Sequence, residues 1–264
     1  VPEKPSDFPA RSLLKPFQYF VTGEPIDSGD HRRTAAQLGS MSATASQVSQ
    51  LETWYQDSNW QSLRKHLKVT DSMPMDDENR VKLRQTGQKP MPIYHTCFSK
   101  HLSILSACRR NHWNLESYLS QQHPYHLALA SDLSKRLGRD AKSFEWVVDG
   151  CGLPSPVLNL NEMAKLYHDL FSKDLLPLAE IMMEFPEWVA GPGRQDTRLM
   201  QQNTGRVVAK EGADGLLGIS VKPNSAAPNG LGIVVKTWAG YLPIFAVLSL
   251  RPVFEKFGLS FSAT

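Results

Sequence analysis

Cysteine is scarce. Cys97, Cys108 and Cys151 are the only three, an odd number too small for the disulfide framework of a secreted scaffold. A reducing, cytoplasmic setting is therefore expected. Long apolar runs are also missing. The longest, Tyr241 to Leu250, is shorter than the about 20 residues of a spanning helix and contains Pro243. With no secretory signal visible either, no membrane partner is expected; the start on Val1 is what a processed chain would show. Charge of one sign is absent too. The 29 Lys and Arg against 26 Asp and Glu leave a formal +3, and the basic pairs Arg32-Arg33 and Arg109-Arg110 are short and far apart. Such pairs read as a solvated face rather than a phosphate track, so no nucleic-acid partner is expected.

What remains is a chain of 264 residues with 41% hydrophobic content, enough for one substantial core, and a single domain over residues 1–264 is expected. Residues 1–11 read as an extended arm and Pro25 to Asp30 as a turn. Ser12 caps a helix running to Phe20, with Pro16 in its tolerant first turn. Val48, Leu51, Trp54 and Tyr55 give helical spacing within Ala35 to Trp60. Asp71 to Gln88 reads as a surface excursion. Further helices are expected at Lys100–Cys108, Leu127–Leu137 with Gly138 as its stop, Asn161–Phe171 and Leu176–Phe185. Phe144 to Val148 is strand-like and enters a turn at Asp149–Pro154. The last third holds short β-branched runs at Arg206–Ala209, Leu216–Val221 and Gly230–Thr237, then a closing helix at Tyr241–Phe257. Helices first and a sheet late predict an α+β domain, an antiparallel sheet with surrounding helices.

Three stretches could carry chemistry. In Ser12-Leu13-Leu14-Lys15, positions i and i+3 share a helical face, so the amine can reach the hydroxyl and, if burial lowers its pKa, take its proton. Alone the pattern is common; Ser62-Leu63-Arg64-Lys65 repeats it in a charged helix with no role. Cys97-Phe98-Ser99-Lys100 with Cys151 offers two thiolates to zinc, flanked by His95 and His101, or else two buried thiols or a disulfide. Ala209-Lys210-Glu211-Gly212-Ala213-Asp214-Gly215 is a lysine at a strand end with glycines that let backbone approach a substrate, or an ordinary turn.

Taken in order with Asp149-Gly150-Cys151 and Gly191-Pro192-Gly193-Arg194, these stretches resemble the zinc-associated, Rhizobium-type asparaginase II family from Arg11 to about Lys236. The resemblance implies a fold similar to serine β-lactamases and penicillin-binding proteins and hydrolysis of asparagine to aspartate and ammonia. It implies two catalytic pairs, Ser12 with Lys15 and Ser42 with Lys210, of which Ser42 is the least secure because Ser40 lies two residues earlier. It implies zinc on Cys97, Lys100 and Cys151, with Arg11, Asp149, His101 and Arg194 around the substrate, and a homodimer. In the implied reaction Ser12 attacks an amide with Lys15 as base, Ser42 and Lys210 relay a proton, and backbone amides hold the oxyanion.

Departures cluster near that chemistry. The family's Ser-His-Ser-Gly-Glu reads Ser40-Met41-Ser42-Ala43-Thr44, Phe98 replaces a small residue, and Leu13-Leu14 replace two alanines. A site for a free amino acid needs polar partners for both charged ends. The substrate expected is therefore a small-molecule amide or ester, either L-asparagine or something bulkier and more apolar. A non-hydrolytic acyl transferase or cyclase, and a non-catalytic binding protein, are the competing readings. The family's N-terminal strand pair is expected to be missing, since eleven residues precede Ser12.

Overall fold

The computed structural model describes residues 7–26 and 29–262. Most of the expected arm (residues 1–6) and the tip of the expected turn (residues 27–28) lie outside them. Among the described residues about half are helical, and six strands form two antiparallel three-stranded sheets, so the chain is α+β. No helix among them is long and apolar enough to cross a membrane.

The first sheet has the order β1 (Asp7–Pro9), β3 (Pro154–Asn159), β2 (Trp146–Val148). The sequence reading passed over β3, whose Pro-Ser-Pro start argues against a central strand. β2 pairs with residues 154–156 and β1 with residues 157–159. The two ladders meet at the middle of β3, where Ala10 N–H donates to the Pro156 carbonyl (2.9 Å) and Val157 N–H to the Glu145 carbonyl (2.8 Å).

The second sheet is a meander of β4 (Val207–Gly212), β5 (Leu216–Val221) and β6 (Leu231–Lys236). Every residue of β5 is buried, because helices Leu160–Asp169 and Gln195–Gln202 pack on this sheet. The three residues Ala213, Asp214 and Gly215 join β4 to β5, the last two with φ of 64° and 73°, a left-handed region that Asp and Gly tolerate. The expected single sheet is thus two.

The helices follow their sequence signals where those are local. Asn159 and Glu162 form a reciprocal capping box at the start of Leu160–Asp169, and Gly138 ends Pro124–Leu137 in a left-handed cap. The helix expected over Ala35–Trp60 is instead three: His31–Leu38, Ala45–Trp54 and Ser58–Arg64. The supposed excursion contains helix Asp77–Gln85, and the closing helix is two short ones, Ile244–Leu248 and Arg251–Lys256.

Two hydrophobic clusters result. One joins the second sheet to Leu13 and Leu14, just before the first helix, and to Phe17 within it; the other gathers Met41, Phe98, Cys97 and Cys151 around helix Phe98–Arg110. The candidate site sits where they meet.

Candidate active site

Ser12 does not cap a helix. It lies in a 3-10 turn, Arg11–Leu14, and Lys15 is the first residue of the helix Lys15–Thr22. Arg11 enters this turn with φ of 50°, held by its N–H to Ser155 Oγ (2.8 Å) and by its guanidinium to Asp149 (2.9 Å). Tyr167 donates to the Leu13 carbonyl at 3.1 Å. Leu13 and Leu14 are buried, which drives the turn inward and takes Lys15 with it.

Lys15 is fully buried. Its amine donates to the carbonyls of Gly39 and of Thr96 (3.2 Å) and to Ser40 Oγ (2.7 Å). The serine on Lys15 is thus Ser40, and not Ser12 three residues before it. Burial lowers the pKa of Lys15 from 10.5 to about 7; the positive charges of Lys100 and Lys210 push the same way, against Cys97 and Cys151. An amine poised there can hold or give up a proton at neutral pH.

Ser40 is placed by the break between the first two of the three helices. The N–H groups of Ser40 and Ser42 donate to the carbonyls of Val189 and Ala190, both at 2.6 Å. Two glycines permit this approach. A Cβ on Gly39 would meet the Val189 oxygen at 2.2 Å, and one on Gly191 would meet Ser42 Oγ at 2.5 Å. The far side is tied by Asp76 N–H to the Ser42 carbonyl (2.8 Å) and by Asn79 to the Ala43 carbonyl (2.8 Å), Ala43 taking φ of 60°. Ser42 is buried against Gly191 and touches neither lysine by a hydrogen bond.

Lys210, expected beside Ser42, is fully buried and paired with fully buried Asp196 at 3.3 Å; it also donates to the Glu211 carbonyl at 2.7 Å. Burial works against the Asp196 carboxylate, but Lys210 and Arg194 outweigh it and hold its pKa below the ordinary value. Burial pulls the Lys210 amine below 10.5 despite Asp196. Arg194 pairs with Glu211 (2.7 Å), whose other oxygen takes the backbone N–H of Gln195 (2.8 Å) at the start of helix Gln195–Gln202. This ties the Gly191–Arg194 loop to β4.

Cys97, Lys100 and Cys151 come together, all buried, with Lys100 Nζ 3.4 Å from Cys151 Sγ. The cysteines are free thiols. A hydrogen bond from Cys151, with Lys100 nearby, lowers the Cys97 pKa well below 9.0. Burial opposes the Lys100 charge, but the two sulfurs and Asp149 outweigh it and raise its pKa. His101 faces away: its Nδ1 meets the Tyr118 hydroxyl at 2.8 Å, and burial drives its pKa well below 6.5. No group of three or more His, Cys, Asp and Glu among the described residues could hold a metal ion.

A cleft of 300 Å³ opens above these groups. Ser12, Ser40, Thr96, Arg194, Glu211 and the 212–215 turn line it, together with Met75, Tyr241 and Leu242. Ser12 and Ser40 therefore face one space, with the Lys15 amine behind Ser40. Ser42 and His101 do not line it. Of the groups the sequence reading did not assign, Ser40 follows the one glycine in a helix-like run, a visible break signal. Asp196 is an acid in a helix's first turn, too ordinary a position to stand out.

No curated protein matches the chain. The model of the family described as L-asparaginase II, named for hydrolysis of an amide bond, matches residues 5–253. That span takes in every group of the site, and the chain belongs to the L-asparaginase II family.

Proposed function

We propose that this chain is a serine–lysine amidohydrolase in which Lys15 is the general base and the acyl group is carried on a cleft serine. The observation that carries this reading is the 2.7 Å hydrogen bond between Lys15 and Ser40 at the cleft wall, with Lys15 at about 7. Neutral Lys15 takes the Ser40 proton as Oγ bonds to the amide carbon, whose C=O electron pair moves to oxygen. Collapse breaks the C–N bond, and the leaving amine takes the proton from Lys15. Water then attacks the ester, again giving Lys15 its proton, which returns to Ser40 as the acid leaves. Asp196, in the first turn of helix Gln195–Gln202, and Lys210, on β4, form a positioning pair whose lysine lies near enough to Lys15 to lower its pKa. The surrounding α+β frame is read as the serine β-lactamase and penicillin-binding-protein kind, and the substrate as L-asparagine or a bulkier, more apolar amide or ester.

A second reading makes Ser12 the nucleophile. It is favoured by the cleft-facing hydroxyl of Ser12, which no group among the described residues engages, and by its place in Ser-x-x-Lys. Lys15 would then work through Ser40.

Zinc on Cys97, Lys100 and Cys151 is part of the proposal. What supports it is the donor set: two thiols and one amine, converging and buried, suit a soft divalent ion. When bound it would supply positive charge and fixed geometry beside Asp149, with Lys100 in its neutral form.

Ammonia release from asparagine and larger carboxamides tests the reading. Wild type should release it, Lys15→Met should lose about 10²–10⁴ of the rate, and Ser40→Ala should be inactive. Full turnover by Ser40→Ala together with an inactive Ser12→Ala moves the nucleophile to Ser12; turnover by both variants ends the serine reading.

A further inference from the structure

The substrate class is written in how the charged groups of the cleft are spent, and this inference rests on the amidohydrolase reading. Free asparagine brings an ammonium and a carboxylate, and each needs an unengaged partner once buried. The cleft holds two acids. Glu211 gives one oxygen to Arg194 (2.7 and 3.2 Å) and the other to the N–H groups of Gln195 (2.8 Å) and Asp196 (3.4 Å). Asp214 pairs with Lys236 at 3.2 Å. The inward carbonyls of Gly39, Thr96 and Glu211 are taken by the amines of Lys15 and Lys210. Glu211 keeps no oxygen for a ligand's ammonium, and Asp214, half-exposed at the turn, already has Lys236 as its counter-charge.

A carboxylate fares differently. Arg194 Nη1 meets only the Met75 sulfur, at 3.9 Å, and keeps its hydrogen-bonding capacity toward the cleft. Met75, Tyr241 and Leu242 give the lining its larger apolar side chains. Lys236 donates to the Asp214 carbonyl (2.6 Å) and Thr237 Oγ1 to the Tyr241 carbonyl, so the segment after β6 is clasped onto the 213–215 turn. The clasp needs Gly215, where a Cβ would come within 2.1 Å of Thr237 Oγ1. It sets Tyr241, 62% exposed, and Leu242 at the mouth. A tyrosine ring left open beside a cleft of drug-sized volume (~300–1,000 Å³) is an unfilled contact for a flat apolar group.

We propose that the cleft selects carboxamides whose α-amino group is acylated by an apolar substituent, over free L-asparagine. The acyl group packs on Tyr241 and Leu242, the carboxylate meets Arg194 Nη1, and the scissile side-chain amide faces the serines. Acylation removes the ammonium, for which the cleft keeps no buried, unengaged carboxylate.

The test compares L-asparagine with Nα-phenylacetyl-L-asparagine, which keeps the same scissile bond and the same ammonia readout. Ammonia release by wild type and calorimetric binding to Ser40→Ala are measured in parallel, each repeated with Tyr241→Ala. The acylated compound should bind and turn over at least about tenfold better, and Tyr241→Ala should remove most of that advantage. Tighter binding of free asparagine, or an advantage that Tyr241→Ala leaves intact, overturns the inference even if ammonia is released. Binding of the acylated compound with ammonia from neither overturns the hydrolase reading and leaves the selectivity standing.

Discussion

Replacing Lys15 by Met keeps most of the buried stem and removes the amine. In the folded protein the Lys15 pKa is about 7, against 10.5 for an exposed lysine. Between those values the unfolded chain binds more protons than the folded one, so this residue makes stability rise with pH across that window. The slope is about 1.4 kcal/mol per pH unit, and the full span is worth about 5 kcal/mol. Read downward, the contribution is complete above about 10.5 and is lost as pH falls through about 7. Urea unfolding of wild type and Lys15→Met from pH 6 to pH 10 isolates it, because Lys210 and every other titrating group is common to both proteins. The wild-type stability should climb relative to the variant by roughly 3–4 kcal/mol over that range. In parallel, wild-type kcat/KM should fall about tenfold per unit below pH 7, a limb absent from the variant's residual rate. Parallel stability profiles would show that Lys15 titrates near its ordinary value, and the base assignment would go with them.

Asp196→Asn leaves the Lys210 ammonium buried without its counter-charge and should cost about 3–5 kcal/mol in urea unfolding, whereas Asp196→Asn with Lys210→Met should recover much of it. Gly39→Ala forces a Cβ against the Val189 carbonyl and should cost about 1–3 kcal/mol, moving Ser40 off Lys15 so that turnover falls more than the melting temperature suggests. Cys97→Ala or Cys151→Ala should abolish zinc binding measured by elemental analysis after dialysis, while Cys108→Ala, whose sulfur lies near His123, should leave it unchanged.

Local chemistry made some of this architecture legible. β5 was read with both ends in place because it is a β-branched and leucine run between a glycine and a lysine-proline pair. Helix Pro124–Leu137 was read to its end because Gly138 marks it. The convergence of Lys100 with Cys151 was anticipated only through the family pattern, since 51 residues separate them. What stayed hidden depends on contacts distant in sequence. The helix break at Gly39 is made by docking on Val189 and Ala190, about 150 positions away, and it is this docking that brings Ser40 rather than Ser12 to Lys15. Lys210 was sought beside a serine and lies beside Asp196, because a buried ammonium takes a carboxylate when one is within reach. β3 is hidden because its two prolines, which lack N–H groups, argue against a paired strand.

The central claim is a serine nucleophile activated by Lys15, and trapping the acyl-enzyme tests it most directly. Wild type is incubated with an acylating serine probe, and the adduct is weighed intact and then mapped by peptide mass analysis, alongside Lys15→Met. The account predicts one adduct on Ser40, formed at a rate that rises through pH 7 and nearly absent in Lys15→Met. An adduct that forms equally well without Lys15, or unchanged protein mass under every probe, would contradict it.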